Sequence, residues 1–369
     1  MSGSGRRPAI AVLYGGRSSE HEISCVTAGA VMAAIDRERF DVHPVGITRE
    51  GAHTLQPDEP GLLRLRPEAM PVVPDNGTRI CWPHGVADRV LRVLGPDGRS
   101  RELGPVDVVF PVLHGRFGED GTVQGQLELI DIPYVGSGVL ASALAMDKHY
   151  AKSVLSSAGI AVAPWARITR AGWAADPEGA LRAAGELGED VFVKPSRAGS
   201  SMGVSRVRAG AGLREAVQEA FAHDSSVIVE RAIAGREIEL AVLGGRDGAA
   251  PRVSPPGEIV VSGRDFYDYA AKYLGAEGVR TLAPTSVEPA ELDALTSTAA
   301  RAFEALGCAD LARVDFFLTP EGPVVNEVNT MPGFTPISLY PTLWQAAGLS
   351  YERLVAELIE LALARGGSR

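Results

Sequence analysis

The stretch from residue 309 to residue 339, ADLARVDFFLTPEGPVVNEVNTMPGFTPISL, constrains the chain most. Two apolar alternating runs flank the turn segment Thr319-Pro-Glu-Gly-Pro323. Such runs, punctuated by Pro and Gly, predict a hairpin. Successive side chains of a strand point to opposite faces. Arg313 and Asp315 therefore share one face, and Val314, Phe316 and Leu318 the other. In the second strand Glu327 and Asn329 share a face opposite Val328. A hairpin symmetric about Glu321 sets Asp315 opposite Glu327 and Arg313 opposite Asn329. Facing carboxylates on a ladder lie roughly 4.5–5.5 Å apart at Cβ and repel. One reading is a solvated polar face, common on antiparallel hairpins. The other is a site for a hard divalent cation. One or two carboxylates plus substrate phosphates is the usual magnesium arrangement. Asn329-Thr-Met-Pro-Gly333 then leaves the strand in a loop. Its glycine can present a bare backbone N–H, a donor of the kind that stabilises oxyanions.

The pattern R-V-D … N-E-V-N-T-M-P-G-F-T … S-L resembles the metal-binding end of the ATP-grasp ligases, and the D-alanine–D-alanine ligase family in particular. The resemblance implies that Asp315, Glu327 and Asn329 hold two magnesium ions, with manganese as a substitute. It implies that Arg313 and the Gly333 amide steady the reacting carbonyl. Ser338 and Leu339 would meet the carboxylate of the second substrate.

A chain of 369 residues suggests two or three domains. With 45% hydrophobic and 22% charged residues it is ordinary and globular. The net charge of −10 argues against a nucleic-acid partner. An acidic protein that binds nucleotide must concentrate positive charge locally or use metal. Cys25, Cys81 and Cys308 are widely scattered, which is neither a disulfide framework nor a zinc spacing and fits a reducing cytosol. The opening MSGSGRRP is not followed by a signal-peptide-like apolar segment and reads as a floppy tail. No stretch is long and apolar enough to span a bilayer, so the expected place is the cytoplasm.

From the start, Ala9–Tyr14, Gly15-Gly16 and the residues after them read as strand, tight turn and helix, with Ser19 and Glu22 spaced as a capping box. No G-x-G-x-x-G is present, so a dinucleotide is a weak proposal. Glu20 can be read as a first-turn acid that suits the helix dipole. GGRSSEHEIS also resembles the opening signature of the same ligases, which implies that Glu20 receives the ammonium of the first D-alanine. Residues 40–47 supply a second strand, and residues 48–105 predict short strands and loops of no evident function. Val106–Leu113 is a buried strand that runs into His114-Gly-Arg-Phe-Gly-Glu-Asp-Gly121 and a helix over 122–130. This repeated order suggests a parallel α/β domain with ligands at the C-terminal strand ends. HG-x-x-GEDG matches the family loop that borders the first amino-acid site, which makes His114 a candidate.

A boundary falls near Gly138, followed by helices over 139–146 and 148–158. Lys148 can complement a helix end; the resemblance makes it an ATP phosphate ligand. Val191–Pro195 is a strand, and Ser196-Arg-Ala-Gly-Ser-Ser-Met-Gly203 can wrap N–H groups around phosphate, with Lys194 just before it. It is not a Walker A loop, and a flexible turn is an equal reading. VKPSRAGSSMG resembles the ATP-grasp phosphate lid. Lys194 would then reach phosphate, with Ser200 and Ser201 over the γ-phosphate and the first amino acid. The strands 226–230 and 236–243 follow; the resemblance implies that Glu230, Arg231 and Ile233 meet adenine and Glu237 the ribose. FYDYAAKY, within residues 262–273, reads either as an exposed loop or, by resemblance, as the family's ω-loop closing over the site. Lys272 would contact phosphate, and Tyr273 would join Ser200 and Glu20 in a hydrogen-bonded latch that favours an amine as second substrate. Leu354, Leu358 and Leu361 lie at helical spacing and read as core.

The resemblance runs in order along nearly the whole chain, weakest over residues 48–105. It implies an α/β protein, α+β in parts, with an ATP-grasp fold and an N-terminal Rossmann-like pre-ATP-grasp domain. The expected divisions are 1–138, 139–233 and 234–369. The implied reaction is ATP-dependent ligation of two D-alanine molecules through an acyl phosphate, for peptidoglycan precursors. The alternative is an ATP-grasp ligase of other specificity, making D-Ala-D-lactate or joining another carboxylate–amine pair. A homodimer is what the family implies.

Overall fold

The computed structural model describes residues 6–65, 70–86, 88–199, 202–246, 248–261 and 279–366. The first strand, β1 (Ala9–Gly15), is buried at every position. A continuous apolar run of this kind suits a strand covered on both faces. After helix α1 (His21–Ala34) come β2 (Asp41–Ile47), β3 (His53–Leu55), β4 (Arg79–Cys81), β5 (Val90–Leu94), β6 (Ser100–Pro105) and β7 (Val108–Val112). The order β3-β2-β1-β7 makes one sheet, and β4-β5-β6 a small second one. β1 runs parallel to β2 and to β7. The loops after β1 and β7 therefore leave the same edge, where ligands of open parallel sheets sit.

Helices α2 (Thr122–Leu129), α3 (Val139–Met146) and α4 (Lys148–Ser157) lead to β8 (Trp165–Thr169). Then follow α5 (Arg170–Ala175), α6 (Pro177–Gly185), β9 (Asp190–Pro195), β10 (Ser205–Arg208), α7 (Leu213–His223) and β11 (Ser226–Arg231). These strands form an antiparallel sheet in the order β10-β9-β11-β8. A further sheet has the order β15-β14-β12-β16-β17, with β13 paired to β12. Its strands are β12 (Arg236–Leu243), β13 (Arg252–Val253), β14 (Gly257–Val261), β15 (Val279–Leu282), β16 (Leu311–Thr319) and β17 (Gly322–Asn329). Helix α8 (Pro289–Ala305) packs Leu295, Ala299 and Phe303 against Val314, Phe316 and Leu318 of β16. That contact turns the opposite, polar face of the hairpin toward the site. Helices α9 (Leu339–Ala346) and α10 (Tyr351–Arg365) close the chain. Leu354, Leu358 and Leu361 are buried there in one core with Val108 and Phe110 of β7. Among the described residues no helix is long and apolar enough to cross a membrane.

The hairpin has the predicted pairing by a different route. Asp315 faces Glu327 and Arg313 faces Asn329. The turn is tighter than the expected five residues, because Thr319 pairs with Gly322 and leaves only Pro320 and Glu321 outside the strands. A register shift beyond Asp315 compensates: Phe316 faces Val325, so Asn326 is the extra residue. Such a bulge bends a strand and re-aims its side chains. It brings Val325 and Val328, three residues apart, into one core.

Two local expectations are corrected. α1 starts at His21 with Glu20 at its N-cap and no side-chain cap bond. Ser18, not Ser19, receives the Glu20 amide, at 2.9 Å, and Glu22 pairs with Arg49. The capping box fails because the turn is held from elsewhere: buried His21 places Nδ1 2.6 Å from Gly16 O and accepts from Val73 N at 3.0 Å. The N-terminal tail is also tied down from Arg6 onward, with Arg6 on Asp107 at 2.8 Å and Arg7 on Asp41 at 2.6 Å.

Candidate active site

One cavity of about 370 Å³ is lined from all three larger sheets. Glu20 enters it from the loop after β1, and His114 from the loop after β7. Lys148 comes from α4, Lys194 from β9, Glu230 and Arg231 from β11, Ile233 from the next loop and Glu237 from β12. The hairpin supplies Arg313, Asp315, Glu327 and Asn329, and the segment beyond it Gly333, Ser338 and Leu339. The sequence candidates Ser200, Ser201, Lys272 and Tyr273 lie outside the described residues.

The Glu20 carboxylate is buried and flanked by two glycines. A Cβ on Gly115 would come within 2.7 Å of Glu20 Oε2, and one on Gly199 within 3.2 Å. Glycine is required at 115 for a second reason, its φ of +74°. Beside it His114 reaches across to the post-hairpin loop, with Nδ1 3.2 Å from Met331 O. Burial lowers the His114 pKa, against the pull of Glu20. Glu119, in the same loop, holds the same residue through its amide: it accepts from Met331 N at 3.3 Å and from Gly115 N at 2.5 Å. Burial, then the nearby Glu20 charge, pushes the Glu119 carboxyl up to about 8. The loop that carries Gly333 is thus held by groups more than two hundred residues away in sequence. A Cβ on Gly333 would lie 3.3 Å from Ser338 Oγ, so that amide and that hydroxyl are neighbours.

Two lysines, Lys148 and Lys194, line the cavity. Lys194 Nζ lies 2.7 Å from Glu230 Oε2. Lys148 Nζ donates to Ala198 O at 2.7 Å, in the Gly/Ser loop. Lys148 opens α4, where Asp147 is the N-cap. The dipole disfavours a cation at that end, so helix electrostatics does not account for this lysine. Burial opposes the charge of Lys194, yet Glu230 raises its pKa. Burial likewise works against the Glu230 carboxylate, which Lys194 and Lys152 nevertheless hold below its usual range.

Three carboxylates follow one another across β12, β16 and β17: Glu239 faces Asp315, and Asp315 faces Glu327. Arg313 bonds both oxygens of Asp315, at 2.7 Å each, and its Nε lies 2.8 Å from Glu239. Burial opposes the Arg313 charge, but Asp315 and Glu239 raise its pKa well above the ordinary arginine value. Asn329 donates to Asp315 at 3.0 Å. Asp315, Glu327 and the Asn329 amide offer hard oxygens, a donor set that fits magnesium or manganese. Among the described residues no three Asp, Glu, His or Cys side chains form an all-protein cage. Phosphate oxygens and water must therefore complete any coordination, as magnesium usually has it.

Two family models cover most of the chain: "D-ala D-ala ligase N-terminus" matches residues 9–137 and "D-ala D-ala ligase C-terminus" residues 154–360. The chain belongs to the D-alanine–D-alanine ligase family. A D-alanine–D-alanine ligase of Kineococcus radiotolerans is 51% identical over 367 residues, covering 97% of both chains. One of Streptomyces coelicolor is 50% identical over 369 residues, covering 97% of this chain and 94% of the relative. Among solved structures, a D-Ala:D-Ser ligase of Enterococcus faecalis superposes with a TM-score of 0.84 at 37% identity, covering 97% of this chain and all (100%) of that one. The D-alanine–D-alanine ligase of Coxiella burnetii gives 0.81 at 34% identity, covering 97% and 94%. The ATP-grasp fold expected from the sequence is therefore the fold of this ligase.

Sequence reasoning passed over three charged residues in or behind this ligase site. Glu119 stood inside the HG-x-x-GEDG string. Glu239 stood two residues after Glu237 on the same strand, a spacing that shares a face. Lys152 stood one helical turn after Lys148. Charge at strand or helix spacing was the available signal in the last two cases.

Proposed function

We propose that this chain joins two D-alanine molecules to D-alanyl-D-alanine, with ATP cleaved to ADP and phosphate, as a step of peptidoglycan precursor synthesis. The observation that carries it is the single cavity in which Glu20, three phosphate-directed or base-directed charges (Lys148, Lys194, Glu230) and the hairpin with Arg313 stand together. Glu20 takes the ammonium of the first D-alanine. The carboxylate oxygen of that D-alanine attacks the γ-phosphorus, ADP leaves, and an acyl phosphate of the D-alanine remains. The amine of the second D-alanine attacks the acyl carbon, loses a proton, and phosphate departs with the C–O electron pair.

Phosphoryl transfer needs positioning and charge neutralisation more than covalent help. Lys148 and Lys194 supply both, joined by Lys272, with Ser200 and Ser201 in the loop over the γ-phosphate. Asp315, Glu327 and Asn329 would hold two magnesium ions, or manganese, which neutralise phosphate charge when bound. Arg313 and the Gly333 N–H stabilise the tetrahedral oxyanion, and Ser338 with Leu339 receives the second carboxylate. His114 borders the first amino acid. Glu230, Arg231 and Ile233 meet adenine, and Glu237 the ribose. Tyr273 joins Ser200 and Glu20 to keep water from the acyl phosphate, which a closed site must do. We further propose domains at 1–138, 139–233 and 234–369, a homodimer, and a cytoplasmic location.

A second reading has a specific observation behind it: the structural likeness to a D-Ala:D-Ser ligase. Mass spectrometry of the products from Mg-ATP with D-alanine alone, then with added D-serine or D-lactate, separates the two. D-alanyl-D-alanine as the main product in every mixture supports the proposal; a mixed dipeptide or depsipeptide as main product replaces the second substrate.

A further inference from the structure

Lys152 is 2% exposed, on the second turn of α4, and does not line the cavity. Its ammonium lies 3.3 Å from Glu230 Oε1, but no acceptor among the described residues meets it in hydrogen-bond geometry. A buried ammonium compensated by one shared carboxylate is costly. Leucine or methionine would fill the position without burying a charge, so packing does not explain a lysine there. Glu230 is itself 3% exposed and has one lysine on each oxygen, Lys152 on Oε1 and Lys194 on Oε2. The two lysines differ in one respect. Lys194 lines the cavity and can turn to a phosphate; Lys152 does not reach the cavity.

We propose that Lys152 is a positioning residue for nucleotide selection: it is the counter-charge that stays on Glu230 when the triphosphate draws Lys194 away. Glu230 then remains an oriented anion in the loaded site. Beside a purine C6, a carboxylate accepts from the amino group of adenine and repels the oxo group of guanine. A buried acid deprived of its counter-charge takes up a proton instead, and a protonated acid can donate to that oxo group. The lysine behind the site thus sets the preference for ATP over GTP. The inference rests on the placement of Glu230 at the base proposed above.

The test measures kcat/KM for ATP and for GTP, at saturating D-alanine, in the wild type, Lys152→Met, Lys152→Gln and Glu230→Gln, with a thermal melt of each. The expected result for both Lys152 variants is an ATP:GTP ratio lowered by about tenfold or more, the size of one charge-assisted hydrogen bond. The change appears in KM for the nucleotide, with KM for D-alanine unchanged. Lys152→Met is expected to melt below wild type, since it leaves the buried Glu230 with one counter-charge of two, so the ATP:GTP ratio is the readout that decides the proposal. Equal losses with both nucleotides, or an unchanged ratio in the Lys152 variants while Glu230→Gln lowers it, overturns the proposal. An unchanged ratio in Glu230→Gln instead removes Glu230 from the base, and the proposed nucleotide site fails with it. Lys152→Gln keeps the question answerable if the methionine variant does not fold.

Discussion

Asp315 faces Glu327 directly across the β16–β17 ladder, and Arg313 already holds both oxygens of Asp315. Two facing carboxylates repel, and here the cations Arg313 and Lys194 offset that repulsion. Glu327→Ala should abolish ATP turnover while leaving the protein folded. Phosphate release and a thermal melt check this. Near-normal turnover at ordinary magnesium would remove the hairpin from the site.

Gly115→Ala tests the first amino-acid site. The added methyl meets Glu20 Oε2 at 2.7 Å and forces that carboxylate to move. Displacing one charge-assisted hydrogen bond should raise KM for the first D-alanine roughly tenfold to a hundredfold. The left-handed backbone adds a stability loss of about 1–2 kcal/mol. Initial-rate kinetics resolving the two D-alanine sites would show it; an unchanged KM for the first site would separate Glu20 from the ammonium.

Arg313→Lys keeps a positive charge beside Asp315 and Glu239 but loses the planar fork. If Arg313 donates to the oxyanion, kcat should fall about 10²–10³-fold, with KM for ATP little changed. A loss confined to KM would assign Arg313 to binding instead.

The pattern of alternation made the hairpin legible, yet part of that reading succeeded by compensation. Symmetry about Glu321 placed Asp315 opposite Glu327, and so does the structure, through a two-residue turn plus a bulge at Asn326. Periodicity cannot show a bulge, because one extra residue and a shorter turn leave the far pairs unchanged. The parallel first sheet followed from strand–loop–helix order, and β1 and β7 are indeed buried strands. Of the antiparallel sheet β10-β9-β11-β8, the sequence reads β9 and β11 as separate strands and misses β8 and β10, since nothing local in Trp165–Thr169 names its partner on β11. Lys152 and Glu119 escaped notice for the same reason: what distinguishes them is burial beside other charges, which folding alone creates.

Glu119 gives a pH dependence. Its carboxyl is pushed up to about 8 in the folded protein by burial and by Glu20. The native state therefore binds a proton that the unfolded chain has already released. Stability should fall as pH rises from the ordinary carboxylate range through about 8. In metal-free, nucleotide-free protein, Glu119→Gln should gain in melting temperature on wild type as pH goes from about 5.5 to about 8.5, from above the ordinary carboxylate range to just past the folded value. Parallel curves would show that Glu119 is ionised in the folded state.

The most direct measurement is phosphate release from Mg-ATP by the purified protein, with D-alanine, L-alanine, D-lactate, and D-alanine plus D-lactate. The account predicts release with D-alanine alone, in step with dipeptide formation, and none with L-alanine or D-lactate alone. Silence with D-alanine, together with release on another carboxylate, would contradict it and leave only the fold and the family.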